Sequence, residues 1–410
     1  MKITGNLARA VLLTAVCALI PLTAYSAQQI TPGKFCKVLN QKVKFQNKTY
    51  TCIKSGKKLI WNKGVVFQQT PTNTPAETFI SEQSDWGIPD PAIPFDSFIN
   101  VEKIASEAFE KDLLPTSDNV EIKMWFEDGI GSAIQDAYKE QFEYVAKRYS
   151  GYFSKSKRID VIGYSTKAWG IKTLLGIDKK ADKIQGLDLQ TAFSDNPQCN
   201  PNVYLPTGWT LGVLRNPVVV IPALNCKIFS DRDPPIVPAH ELTHAVQIAA
   251  AKTLSTSDGT IGGPLWLVEG QAELGANFLN YYGGLVHPSK IYCGSASTLK
   301  FKKYNPDWIH SLEFHDSENQ NQEYGVGLLA ANYLVARSGW KKSLQVEVLA
   351  TSISQKQKNY SFRDMSAFSA AFKTVYGQNL SDFYTEVQIY LKWLYENGNE
   401  KLAPYCNGKW

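Results

Sequence analysis

The sequence lacks the features that mark most special scaffolds. Its 28 Gly and 20 Pro fall in no triplet, heptad or low-complexity pattern, which excludes collagen-like, coiled-coil and compositionally disordered chains. No repeat of solenoid length occurs. There is no glycine-rich phosphate loop, so nothing points to a nucleotide or another organic cofactor. Beyond residue 27 no apolar run is long enough to cross a bilayer. Histidine is scarce, at five in 410 residues, and there are seven Cys. Acidic residues are missing altogether from residues 28–64, in a chain that holds 38 Asp and Glu. The rest is ordinary for a globular protein: 44% apolar and 12% aromatic residues can bury a sizeable core of mixed α and β structure.

Residues 1–27 read as a secretory signal. Lys2 and Arg9 precede an apolar run from Ala10 to Leu22, and Ala24-Tyr25-Ser26-Ala27 offers a small-residue cleavage site ending at Ala27. Pro21 and the shortness of the run argue against a retained anchor, and Val16 ahead of Cys17 argues against a lipobox. The expectation is an exported bacterial protein, secreted or held at the cell envelope, with no transmembrane segment in the mature chain. The cysteines agree with export, because the loss of Cys17 leaves an even set: Cys36, Cys52, Cys199, Cys226, Cys293 and Cys406. Nearness in sequence favours Cys36 with Cys52 and Cys199 with Cys226, leaving Cys293 for Cys406; free buried thiols are the alternative.

Charge divides the mature chain. Without Lys2 and Arg9 the net charge falls from +5 to +3, and the nine Lys of residues 28–64 leave the remainder at −6. A basic head beside an acidic body suggests two modules with different partners. In the head, Lys42-Val43-Lys44-Phe45 and Thr49-Tyr50-Thr51-Cys52-Ile53 alternate as strands do, with turn signals at Asn47 and Ser55-Gly56. Two Cys, many Lys and a closing Gly-Lys-Lys-Leu-Ile-Trp resemble short basic modules at the front of secreted actinobacterial proteins. Such a patch would attract anionic cell-envelope polymers, lipid head groups or nucleic acid, the last without sequence specificity, unless the lysines merely keep the head soluble. Thr and Pro in residues 65–84 read as a linker. The main domain, 85–410, shows helical spacing at 101–114 and 132–150 and strands at 120–126, 159–164 and 217–221. It then turns helical at 237–252, 265–282, 324–338, 343–353 and 381–397, with a long irregular segment at 283–322. Strands preceding helices argue for an α+β domain with a small N-terminal sheet subdomain and a mostly helical C-terminal part.

The sharpest local feature is His240-Glu241-Leu242-Thr243-His244. On a helix, residues four apart share a face, so both imidazoles can meet one ion while Glu241 projects beside it. Pro238 suits the first turn of such a helix. A catalytic zinc takes three protein ligands, so two His need a third partner. Glu269, in Trp266-Leu267-Val268-Glu269-Gly270-Gln271-Ala272-Glu273, is the candidate. Asp258 is a weaker one, because its Ser-Asp-Gly-Thr context reads as a turn.

These two stretches resemble the gluzincin metallopeptidases, the thermolysin-like and aminopeptidase-like group in which a helix carrying two His is followed by a helix supplying a glutamate. W-L-V-E-G-Q-A-E is similar to their W-x-x-E-G-x-A-E form, which implies a zincin-like domain with Glu269 as metal ligand. The resemblance also implies that Glu273, one turn later, accepts the free ring N–H of a ligating His and steadies it; a solvated helix glutamate is the plain alternative. Tyr324-Gly325-Val326-Gly327 resembles their Y-x-x-G element, whose tyrosine hydroxyl donates to the developing oxyanion. That implies the same for Tyr324, against simple packing at a helix start. The resemblance spans about residues 240–330. Metzincins would need glycine at 247 and histidine at 250, where this chain has Gln247 and Ala250. The G-x-M-E-N element of the aminopeptidase branch is absent, which tilts the expectation to endopeptidase action.

The expected activity is therefore that of a secreted zinc peptidase acting on peptides or proteins. Zinc on His240, His244 and Glu269 would acidify water and polarise the scissile carbonyl. Glu241 would serve as general base, and Val218–Leu224 as a sheet edge that pairs with extended substrate. One of His287, His310 and His315 is a further oxyanion candidate, though each alone reads as an ordinary loop residue. The alternative is a non-catalytic envelope-binding protein with a degenerate peptidase-like body.

Overall fold

The computed structural model describes residues 32–66, except 37, 38, 40, 41, 46, 47 and 57, and residues 85–402. The second range is broken at 114–119, 154–157, 180, 184–188, 194–208, 212–215, 223–236, 255–262, 280–288, 300–303, 315–321 and 357–363. The expected signal segment, nearly all of the expected linker, Cys199, Cys226, Cys406, Asp258, His287 and His315 lie outside the described residues. The chain separates into two units, Met1–Asn73 and Thr74–Trp410.

The first unit is an antiparallel sheet of β1 (Lys42–Phe45), β2 (Lys48–Ser55), β3 (Lys58–Trp61) and β4 (Val65–Val66). Gly56, at φ +61°, turns the chain between β2 and β3. Alternation along β2 and β3 sends Tyr50, Cys52 and Trp61 inward, with Cys36 and Leu59 packed on them. The expected Cys36–Cys52 disulfide is present, with Cα atoms 5.8 Å apart. β4 pairs with Lys48 and Thr49, so the sheet continues past residue 64 into the segment expected to be linker.

The second unit begins with α1 (Val101–Asp112), β5 (Glu121–Phe126), α2 (Ser132–Arg148), β6 (Arg158–Tyr164), α3 (Lys167–Ile177), the single turn α4 (Leu189–Ala192), β7 (Trp209–Leu211) and β8 (Val218–Pro222). The sheet order is β5-β6-β8-β7, parallel except for β7. Parallel neighbours cannot be joined by a hairpin. Helices therefore alternate with strands here, where the sequence pattern has strands simply preceding helices; the whole remains a mixed α+β architecture. Val218 to Ile221 of β8 are fully buried, as befits a strand covered on both faces. β8 lies between β6 and β7, so Val218–Pro222 is not an edge, and residues 223 and 224 of the expected segment lie outside the described residues. Among the described residues the edge on that side is β7.

The remainder is helical: α5 (Val237–Leu254), α6 (Leu265–Leu279), α7 (Ser289–Leu299), α8 (Trp308–Ser311), α9 (Gln322–Ser338), α10 (Trp340–Gln355), α11 (Met365–Tyr376) and α12 (Leu380–Lys401). α7 and α8 fall inside 283–322, which the sequence pattern reads as irregular. Ser, Thr, Gly and Cys in α7 are weak helix formers, and it is the burial of Tyr292, Ala296 and Leu299 that makes the segment worth ordering as helix. Cys293 is disulfide-bonded, and its partner lies outside the described residues. No described helix is long and apolar enough to cross a membrane.

α6 is the hub. It is apolar on nearly every side, and every residue but Val268 and Glu269 is buried. Its first free N–H groups are satisfied from another segment, Leu265 donating to the Glu313 carbonyl at 3.1 Å and Trp266 to that of Leu312 at 3.1 Å. Two glycine crossings set its neighbours. A Cβ at Gly270 would fall on the Gly327 carbonyl of α9, and one at Gly327 would come within 2.6 Å of the Trp266 carbonyl. A Cβ at Gly275 would overlap the Thr243 hydroxyl of α5. α9 thus approaches α6 backbone to backbone, and α5 seats the Thr243 side chain directly on the α6 backbone, contacts that a Cβ at these glycines would block.

Candidate metal centre

The helix crossings bring His240 and His244 of α5 against Glu269 of α6. His240 Nε2 lies 3.4 Å from Glu269 Oε2, His244 Nε2 lies 3.5 Å from the same oxygen, and the two imidazole nitrogens are 3.2 Å apart. These ligand atoms could hold a metal ion. Donors about 2.0–2.1 Å from a tetrahedral ion are separated by roughly 3.3–3.4 Å, so the triangle has the size that one such ion requires. The three side chains are 12–17% exposed, buried enough to be held in place yet not sealed from solvent.

Each residue beside the triangle has a definite place. Glu273, one turn along α6 from Glu269, puts Oε1 3.1 Å from His240 Nδ1. Glu241 is buried, and its Oε2 accepts a hydrogen bond of 2.7 Å from Thr210 Oγ1 on β7, which also lies 3.0 Å from the Glu241 carbonyl. Thr243, between the two imidazoles in sequence, turns away from them. It donates to the Ala239 carbonyl at 2.7 Å and accepts from the buried Tyr149 hydroxyl at 3.0 Å. The Tyr324 ring stands 5.9 Å from the His240 ring and is 37% exposed. His310 is not brought to this cluster: it sits on α8 beside Asp307, Glu313 and Tyr384.

Without an ion, charge is shared within the cluster. Burial by itself pushes the His240 imidazole down in pKa, but hydrogen bonds to Glu269 and Glu273 outweigh it and hold it well above the ordinary histidine value. For His244, too, burial pushes down and Glu269 lifts it to a net rise. Burial would raise Glu269, yet the two imidazoles draw it below the carboxylate range. A cation entering the site displaces these protons. Burial dominates at Glu241 and raises its pKa, against the pull of His240, His244 and Thr210.

Two contributors escape sequence reading. Thr210 lies on a strand of three residues that only long-range pairing defines. Gln247 accepts at 2.8 Å from His244 Nδ1; its spacing of three from His244 puts it on the right helix face, but an amide is not among the residue types that announce a metal site. No known protein family, curated protein or solved structure matches the chain.

Proposed function

We propose that this chain is a zinc-dependent peptidase of the gluzincin type, exported from the cell, that hydrolyses peptide bonds within peptides or proteins. The observation that carries the proposal is the triangle of two imidazole nitrogens and one carboxylate oxygen, of tetrahedral size, with a buried carboxylate next to it in sequence. Its N, N, O donor set suits zinc. A mixed sheet ahead of a mostly helical part agrees with a zincin-like domain. Disulfides at Cys36–Cys52 and at Cys293 agree with an oxidising compartment.

His240, His244 and Glu269 would hold the ion, with Glu273 fixing the His240 ring. Zinc, when bound, supplies Lewis acidity towards a carbonyl and towards water. Glu241 takes the proton of the attacking water and passes it to the leaving amine. Tyr324 donates to the carbonyl oxygen as charge builds there. β7 carries Thr210 at the sheet edge, and an extended substrate lies along it as an added strand.

Glu241→Gln should lower peptide cleavage by about 10²–10⁴-fold while the protein still takes up one zinc per chain. Unchanged cleavage would place the base elsewhere. A peptide-library digest of the wild type, read by mass spectrometry, distinguishes internal from terminal cleavage.

The head supports a separate binding role. Phe35, 64% exposed, carries Lys58 over its ring at 5.3 Å, and Ile60, to which Phe35 is bridged, pairs with Ile53. An apolar row beside Lys58, in a stretch of nine lysines with no carboxylate in residues 28–64, suits an anionic cell-envelope polymer.

A further inference from the structure

We infer that Gln247, Gln271 and Ser343 form a one-way hydrogen-bond relay by which α10 fixes the His244 ring as a metal ligand. The inference rests on the metal site proposed above and adds three positioning residues to it.

The direction of the relay follows from its far end. Ser343 Oγ spends its only proton on the Trp340 carbonyl, at 2.7 Å. It therefore meets Gln271 Nε2, 3.1 Å away, as an acceptor. With its nitrogen so placed, Gln271 turns Oε1 to Gln247 Nε2 at 2.9 Å, and the second hydrogen of that nitrogen goes to the Val268 carbonyl at 3.0 Å. Gln247 is thus left with Oε1 facing His244 Nδ1 at 2.8 Å. The reversed amide would set a carbonyl oxygen against two acceptors and an NH₂ against the ring N–H. An oxygen at Nδ1 requires the hydrogen to be there, so the nitrogen left free to give up its proton to a cation is Nε2, the one that faces Glu269 and His240.

Burial gives the relay its authority. Gln247, Gln271 and Ser343 are at most 2% exposed, so water cannot replace a lost partner and each broken link leaves a costly orphan group. The two imidazoles are backed differently. His240 leans on the carboxylate of Glu273, whereas His244 leans on a neutral amide chain. With Glu269 and Glu273 already against the two imidazoles and Glu241 buried next to them in sequence, another buried carboxylate behind His244 would be uncompensated.

The test measures zinc affinity of the full chain by competition with a chelator, with folding checked by circular dichroism and ligand geometry by the visible spectrum of the cobalt-substituted protein. Gln247→Leu should weaken zinc binding by about 10–100-fold. Gln271→Leu, which touches no ligand, should weaken it in the same direction and alter the cobalt spectrum. Zinc binding unchanged in both leucine variants overturns the relay, as does a loss confined to Gln247→Leu. If the leucine variants do not fold, Ser343→Ala decides: weaker zinc binding supports the relay, and unchanged binding overturns it. A wild-type chain that takes up no zinc at all removes the metal site itself, and the relay with it.

Discussion

The head and the body hold themselves together by different means. The head buries Tyr50, Cys52 and Trp61 and adds a disulfide. The body buries a core from Phe98 to Leu402, brings α6 and α9 together at backbone distance through Gly270 and Gly327, and seats Thr243 of α5 against Gly275 of α6. A small module cannot bury enough surface to hold its shape and needs a covalent staple. A large one can spend close packing on placing His240, His244 and Glu269 within a few tenths of an ångström of a common size. The teaching is that stability in the head is covalent and local, while in the body stability and site geometry come from the same contacts.

The severest test is Gly270→Ala. The added methyl collides with the Gly327 carbonyl beside Glu269, so the body should lose about 3 kcal/mol, the upper range for overpacking, and take up less zinc. Urea unfolding and metal analysis read both. A loss of stability without a loss of metal would separate what the comparison joins. Next, replacing Cys36 and Cys52 by Ser should remove roughly 3 kcal/mol from the head on the chain-entropy account, leaving the body's thermal transition where it was. A shift in both transitions would show the two units to be stabilised together.

Glu102 sharpens the contrast through pH. It is 2% exposed, accepts a 3.2 Å hydrogen bond from Asn277, and burial pushes its pKa from 4.5 up to about 7. The folded body therefore keeps a proton that the unfolded chain releases. Its contribution is full below about pH 4.5 and is lost as pH rises through about 7, at most about 3 kcal/mol. Glu102→Gln should flatten that slope. Residues 28–64 contain no Asp, Glu or His, so the head's stability should stay level over the same range. The smallest effect is expected from deleting residues 28–64: small-peptide hydrolysis should not change, while retention on anionic envelopes should drop, most clearly at low salt.

Much of the site's vocabulary is legible in the chain, and its grammar is not. Helical spacing shows that His240 and His244 share a face, and Pro238 marks where α5 begins. α11 is also legible locally: Asp364 caps it by accepting from Ser366 and Ala367, and Gly377 ends it at φ +65°. α7 was hidden because its own residues favour helix weakly, and only burial orders them. β7 was hidden because three residues carry no periodicity, and with it went Thr210 and the true sheet edge. The glycines after Glu269 and Tyr324 are plain in the sequence, but their purpose shows only where two helices touch.

The sequence by itself determined the residue types and the local register: two imidazoles a turn apart, a glutamate between them, a later helix with two more, and a lysine-rich head with its own disulfide. Periodicity and parity are short-range properties, so they survive in one dimension. Tertiary structure alone decided that Glu269 meets both imidazoles, that β7 rather than β8 is the edge among the described strands, and that a neutral amide chain backs His244. Those outcomes depend on how whole helices and strands pack, and packing is settled by surfaces that lie far apart along the chain.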